Sequence, residues 1–501
     1  MKKVLIAVSA VLLVGAIFFA SVAADFLYGD ATGDGVVNGR DLIRLRKYLN
    51  GEDVVLGPEK CEEHTFGEWY VTLEPTCTKA GIIKRKCANC DEIEEDTTPA
   101  LGHEFGEDGV CIRCGEVEPV EPTPDEYFIF TLLDDGTYEI GAKDVNDMPA
   151  KVLIPATHDG LPVSRIAEHG FENCAFITNI FFSYNVSSIG NFAFSGCYDL
   201  RKLVIPDGIA GIGEDAFAHC YGLKSISVPD SVTDIGTGAF QDCTVLESIT
   251  VSEGNPSYYS MNNCLMEKES NILIAGCKMS IIPAGVAGIG DAAFYGCAEL
   301  KDIEIPDGVT FIGDSAFSEC VGLTEITLPD SVTSIGDFAF AGCVGLTSVT
   351  TGSGVTSIGE YVFSCCVGLT SITIPDSATR IGVHAFDGCS GLTSVTIGSG
   401  VTNIDDGVFY CCFGLTSITI PDGVTYIGDR AFSYCYGLTS ITIGNGITAI
   451  GTYALCNCKN LADICYNGTE EQWGAVEKGE GWDKDAGEYT VHCTDGDIPK
   501  R

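Results

Sequence analysis

The chain has 501 residues, 70 of them acidic against 28 basic, and a formal net charge of −42. That excess repels nucleic acid and anionic membrane surfaces and favours cationic partners or divalent ions. Its 25 cysteines admit a disulfide framework, metal sites or a buried thiol core, and only their spacing separates these.

Residues 1–24 read as a secretory signal: Lys2 and Lys3, an apolar run to Ala20, then Val22 and Ala24 before a cut. No second apolar run reaches the ~20 residues needed to span a bilayer, so a secreted or cell-surface-associated product without a membrane span is expected.

Residues 25–57 place Asp30, Thr32, Asp34, Asn38 and Asp41 at positions 1, 3, 5, 9 and 12 of a twelve-residue loop. Gly35 stands at position 6, and Val36 offers its carbonyl at position 7. Oxygen donors at that spacing around a turn glycine form an EF-hand-like calcium loop. Leu42, Leu45, Tyr48 and Leu49 follow at helical spacing, and Gly51 ends the helix. The segment resembles a single dockerin-type repeat, the calcium-dependent module that plugs proteins into cohesins on bacterial scaffolds. The resemblance assigns cohesin contact to Gly39, Arg40, Arg46 and Lys47. Dockerins carry two repeats and one is found here. A calcium-stiffened N-terminal cap, or pairing with another copy, are the other readings.

Residues 58–118 form a small Cys/His-rich module. Cys87/Cys90 and Cys111/Cys114 are CxxC knuckles at a separation near that of a zinc ribbon. An internal duplication, starting at His64 and again at His103, suggests another grouping: His64, Cys77, Cys87 and Cys90 in one zinc site, and Cys61, His103, Cys111 and Cys114 in a second. Three disulfides with idle histidines are the alternative. The module loosely resembles small Cys/His repeats in surface proteins of Gram-positive gut bacteria. An acidic, Pro-rich linker follows at 119–126.

From 127 to 459 one sentence is rewritten repeatedly, as in VGLTSITIPDSATRIGVHAFDGC (367–389). Cysteines at 174, 197, 220 and 243, and again from 297 to 458, fall 23 residues apart. A fixed period in that range marks a solenoid, whose units bury their apolar sides only against one another. Ile372 and Ile374 point inward and Thr373 outward, the alternation of a strand, which Pro375 ends. The fold class expected is an α/β solenoid of 23-residue coils with a parallel sheet on one face. The beat breaks between Cys243 and Cys297, where a hairpin insertion is read near 252–280, and residues 460–501 read as a C-terminal cap. The repeats resemble the BspA-like leucine-rich repeats of bacterial surface proteins, which implies an exported protein that adheres to extracellular protein or glycan.

Stacked cysteines ~4.8 Å apart with parallel side chains are too poorly placed for disulfides, so the ladder is expected reduced and buried. Cys465 and Cys493 are the expected disulfide of the cap. Asp405, in place of the usual glycine, and Thr351, in place of a strand-end isoleucine, predict local loosening. The candidate binding face is the outward column Thr327, Thr350, Thr373, Thr396, Thr419 and Thr442 on a concave sheet; charged upper coils (Arg201, Lys202, Lys224, Glu247, Lys301, Glu304) or the 255–276 hairpin would dock a more specific partner. The histidines are scattered and no nucleophile or phosphate-loop motif appears, so no enzyme is expected. Function reads as non-enzymatic binding or adhesion. The alternative is a cellulosome-type scaffold component, held by a cohesin, with the solenoid as a spacer or carbohydrate-contacting arm.

Overall fold

The computed structural model describes residues 65–73, 80–88, 92–98 and 122–500. The chain divides into two compact units, 1–119 and 120–501. In the first, strands Tyr70–Leu73, Gly81–Lys86 and Ile93–Thr98 form an antiparallel meander. Opposite charges face each other across its register: Lys84 lies 2.6 Å from Glu95, and Arg85 pairs with Glu94. The Arg85 guanidinium also covers the rings of Phe66 and Trp69.

The second unit is a solenoid, and its coils carry two strands, not one. A long strand such as Ser371–Ile374 pairs in parallel with Ser394–Ile397 of the next coil. A two-residue strand such as Ser357–Ile358 pairs in parallel with Arg380–Ile381. The expectation of one sheet face is therefore corrected to two. The α/β label is corrected as well: among the described residues the only α-helix is Glu470–Ala475. The reason lies at the back of each coil, where the residue before the ladder cysteine is left-handed. Asn173, His219, Asp242, Glu319, Cys365, Cys411, Tyr434 and Asn457 have φ between 53 and 62°. Right-handed helix cannot run through such residues, so each back is a chain of tight turns. Those turns bond to the next coil, as Phe340 N–H does to Val362 O at 2.9 Å.

Two columns hold the interior. Phe171, Phe194, Phe217 and Phe240 stack at 5.2 to 5.9 Å, and the seven rings from Phe294 to Phe432 stack at 5.0 to 5.5 Å. Beside them the ladder cysteines are buried and free. Ten of these thiols donate to the carbonyl of a phenylalanine one coil earlier at 3.0 to 3.4 Å; Cys366 uses Phe340 O. Cysteine thus fills a tight corner and adds a second donor to a buried carbonyl that, as at Phe340, already accepts the N–H of its own coil's cysteine.

The irregular stretch between Cys243 and Cys297 is a meander, Tyr258–Met261, Cys264–Glu267 and Ile272–Ala275, whose last strand joins the short-strand sheet in parallel with Gly288–Ile289. Its residues divide between two cores. Tyr258, Leu265 and Ala275 pack with the coils before it, whereas Cys264, Met266 and Leu273 pack with those after it.

A seam opens around the coil that carries Asp405. The short-strand sheet stops at Arg380–Ile381 and restarts at Asn403–Ile404; the long-strand sheet stops at Ser394–Ile397 and restarts at Ser417–Ile420. Apart from Ala167 in the first coil and Ile274 in the meander, the other coils have glycine at the Asp405 position, where space is short. A Cβ on Gly382 would lie 2.4 Å from Gly359 O. Asp405 carries that Cβ, and gaps on opposite faces either side of its coil are what a tilted coil produces. Thr351 disturbs less: its hydroxyl bonds to Thr373 O, and pairing of Ser348–Thr350 with the next strand shrinks to one register pair.

The last apolar face is closed by Trp473, Trp482, Tyr466 and Tyr489, packed edge to face or tilted. The helix Glu470–Ala475 starts with a capping box between Thr469 and Gln472. Cys465 and Cys493 are both free, which corrects the disulfide expected between them. The register sets Cys465 beside His492, so Cys493, the next residue, turns to the opposite side and packs on the core.

Candidate interaction face

The long strands show two kinds of threonine. Thr347, Thr370, Thr393 and Thr439 each donate their hydroxyl to a carbonyl one coil back, at 3.0 to 3.3 Å. Those hydroxyls are spent on the stack. Thr327, Thr350, Thr373, Thr396 and Thr419 point outward and are exposed, with Thr442 half-buried. Among the described residues none of these six hydroxyls has a hydrogen-bond partner. Sequence reasoning missed their companions, Ser348, Ser371, Ser394 and Ser417, exposed on the same face two residues earlier; the period-2 rule that places the threonines also places them. The face is therefore a double column of hydroxyls.

Much of the acidity is structural. The carboxylates of Asp291, Asp314, Asp337, Asp406 and Asp429 each accept the amide one coil on, at 2.6 to 2.8 Å. Asp330 and Asp376 accept from Ser353 and Ser399, which holds both carboxyls below the usual range. Desolvation acts the other way on Asp215, half-buried beside Glu214, and pushes it up to about 6.

Each described histidine sits against a carboxylate: His158 on Asp125, His169 on Glu172, His219 on Asp242, His384 on Asp387 and His492 on Asp497, at 2.8 to 3.0 Å. Three of these partners lie within five residues of the histidine, whereas Asp125 and Asp242 are brought to theirs from another coil, which sequence spacing does not show. His492 is held on its other side by Asp463 at 3.0 Å, and these carboxylates raise its pKa.

Calcium-loop residues Asp30, Thr32, Asp34, Val36, Asn38 and Asp41 lie outside the described residues, as do Gly39, Arg40, Arg46 and Lys47. So do Cys61, His64, Cys77, Cys90, His103, Cys111 and Cys114. Cys87 is described and buried, bridged to Phe66. Among the described residues no group of three or more His, Cys, Asp or Glu could hold a metal, and no helix is long and apolar enough to cross a membrane.

With two parallel sheets, a phenylalanine stack and a thiol ladder repeating every 23 residues, the chain can be set beside known proteins. The family model for the BspA type leucine rich repeat region matches residues 164–273, 275–390 and 356–475, more than half of the chain. The chain belongs to the BspA-type leucine-rich repeat family. A leucine-rich repeat protein from Eubacterium ventriosum is 26% identical, with 61% of this chain and 92% of that one covered and a TM-score of 0.51. A leucine rich cell surface protein from Faecalibacterium prausnitzii is 30% identical over 72% of this chain and 98% of that one, with a TM-score of 0.47. A leucine-rich repeat protein from Bacteroides ovatus is 27% identical over 73% and 98%, with a TM-score of 0.46. No curated protein matches the chain.

Proposed function

We propose that this family member is a secreted or surface-attached, non-enzymatic binding protein that holds extracellular protein or glycan against its long-strand face. The observation that carries this reading is the contrast between the two threonine columns. One is consumed by the stack, whereas the other leaves Thr327, Thr350, Thr373, Thr396 and Thr419 exposed with unspent hydroxyls. A regular grid of donors and acceptors suits sugar hydroxyls or an extended main chain. The described histidines serve carboxylates on separate coils, which supports contact over catalysis. The relative from Faecalibacterium prausnitzii is described as a cell surface protein, in keeping with this placement. Binding of the full chain to arrays of glycans and extracellular proteins tests the reading. A ligand lost on replacing Thr373, Thr396 and Thr419 by lysine is expected; retention by that variant would overturn the assignment to this face.

The loop Asp30 to Asp41 adds a calcium-dependent attachment to this reading, on the strength of its donor spacing alone. Calorimetric titration of the full chain with calcium should show one site, abolished by Asp30→Ala with Asp34→Ala. A cohesin pull-down that needs calcium would extend it to scaffold attachment. Two zinc sites in 58–118 predict two equivalents of zinc by elemental analysis, against none for a disulfide framework.

A further inference from the structure

The long-strand face is not continuous. Its upper sheet ends at Ser248–Val251 and the next begins at Glu325–Thr327, yet two coils lie between them. The cause is legible in spacing: Cys277 and Cys297 are only 20 residues apart, three short of the period. The missing residues come from the long strand, which shrinks to Ser280-Ile281-Ile282-Pro283. With no strand above to pair with, residues 301–306 form none either, although their sequence, Lys-Asp-Ile-Glu-Ile-Pro, follows the repeat. A cleft of about 610 Å³ results, lined by Ser280, Ile281, residues 302–305, Asp307, Glu325, Thr327 and Pro329.

Three features of this cleft differ from the rest of the face. It exposes apolar side chains: Ile281 is 67% exposed, and Ile303 is half-buried where its counterparts Ile326 and Ile372 are buried. It leaves the strand Glu325–Thr327 paired on one side only, a free edge. It also gathers the carboxylates of Asp302, Glu304, Asp307 and Glu325, none of which has an ion-pair or hydrogen-bond partner among the described residues.

We infer that the cleft is a docking site for an extended polypeptide segment in which lysine or arginine alternates with apolar residues. Such a segment adds a strand to the free edge, lays its apolar side chains on Ile281 and Ile303, and sets its cations among the four carboxylates. The volume lies within the range of built binding sites. The inference deepens the proposed binding function by naming a place and a partner chemistry, and it rests on that reading.

The probe is a hexapeptide of alternating lysine and valine, with a glutamate–valine hexapeptide as its control, titrated into the full chain. The lysine peptide is expected to bind, to slow hydrogen exchange at amides 302–305 and 325–327, and to weaken as salt rises. Glu304→Lys with Glu325→Lys should cost at least tenfold in affinity, and Ile281→Arg should block the cleft while the fold, checked by circular dichroism, persists. Equal binding of the glutamate peptide, binding without protection of those amides, or no binding would each overturn the inference. Concentration-dependent dimerisation abolished by Ile281→Arg would also overturn it, by making a second copy the occupant. Failure of the hexapeptide, with array ligands still lost in the threonine-to-lysine variant, would refute the cleft and leave the general reading standing.

Discussion

Replacing Asp405 by glycine should close the seam in the stack. Three cross-coil hydrogen bonds that recur elsewhere are missing around this coil among the described residues. Gly382 N–H bonds to Ile358 O and Gly428 N–H to Ile404 O, but Asp405 N–H has no such bond to Ile381 O. The Thr402 and Thr416 amides likewise lack the bonds that Thr379, Thr425, Thr393 and Thr439 make. Each restored bond is worth about 1 kcal/mol net, so about 3 kcal/mol is available if all three form. Against this stand about 1 kcal/mol for the freer glycine backbone and up to ~1 kcal/mol for the exposed contact of Asp405 with Arg380 at 3.4 Å. The balance favours Asp405→Gly by about 1 kcal/mol, roughly a fivefold gain in local protection. Hydrogen exchange of amides 402, 405 and 416 reads this directly, because coils open locally in a repeat stack. Gly382→Ala is the reverse experiment and should open a second seam. Unchanged or faster exchange in Asp405→Gly would refute the claim that a single Cβ holds the coils apart.

Three further outcomes follow from titrating groups and burial. Burial pushes the Cys243 and Cys343 thiols up to about 12. Because the folded value lies above the unfolded one near 9, their contribution is intact below pH 9 and is lost as pH climbs towards 12, so urea midpoints should fall steeply over that window; a flat profile would contradict a buried thiol ladder. His492, raised by Asp463 and Asp497, contributes stability that is present below its unfolded value of 6.5 and lost as pH rises through the raised one. Exchange of amides 490–499 should therefore quicken as pH rises through that window, beyond the intrinsic rate, and His492→Gln should remove the effect. Asp215 at about 6 is held unfavourably as an anion, and its φ of 51° suits asparagine, so Asp215→Asn should raise the melting temperature at pH 8 more than at pH 5; equal gains at both would point to backbone fit alone.

The solenoid, its phase and its thiol ladder are legible because period and alternation are properties of sequence order. The outward threonines follow from the same rule. The second sheet is hidden because strands as short as Ser357–Ile358 are too brief to show alternation. The missing helix is hidden because left-handed turns accept residues as different as Asp242, Cys365 and Tyr434. The cleft escaped for another reason: the long stretch from Cys243 to Cys297 reads as one insertion, whereas it joins a lengthened coil to one three residues short. Histidine–carboxylate pairs such as His219 with Asp242 depend on which residues stack, which register alone decides.

The long-strand surface acts, in this reading, by holding a partner through its unspent hydroxyls. Affinity of the full chain for its array ligands, compared with that of Thr373→Lys, Thr396→Lys, Thr419→Lys, tests it most directly. Binding should be lost with an unchanged melting temperature; undiminished binding by the folded variant would refute the role of these hydroxyls.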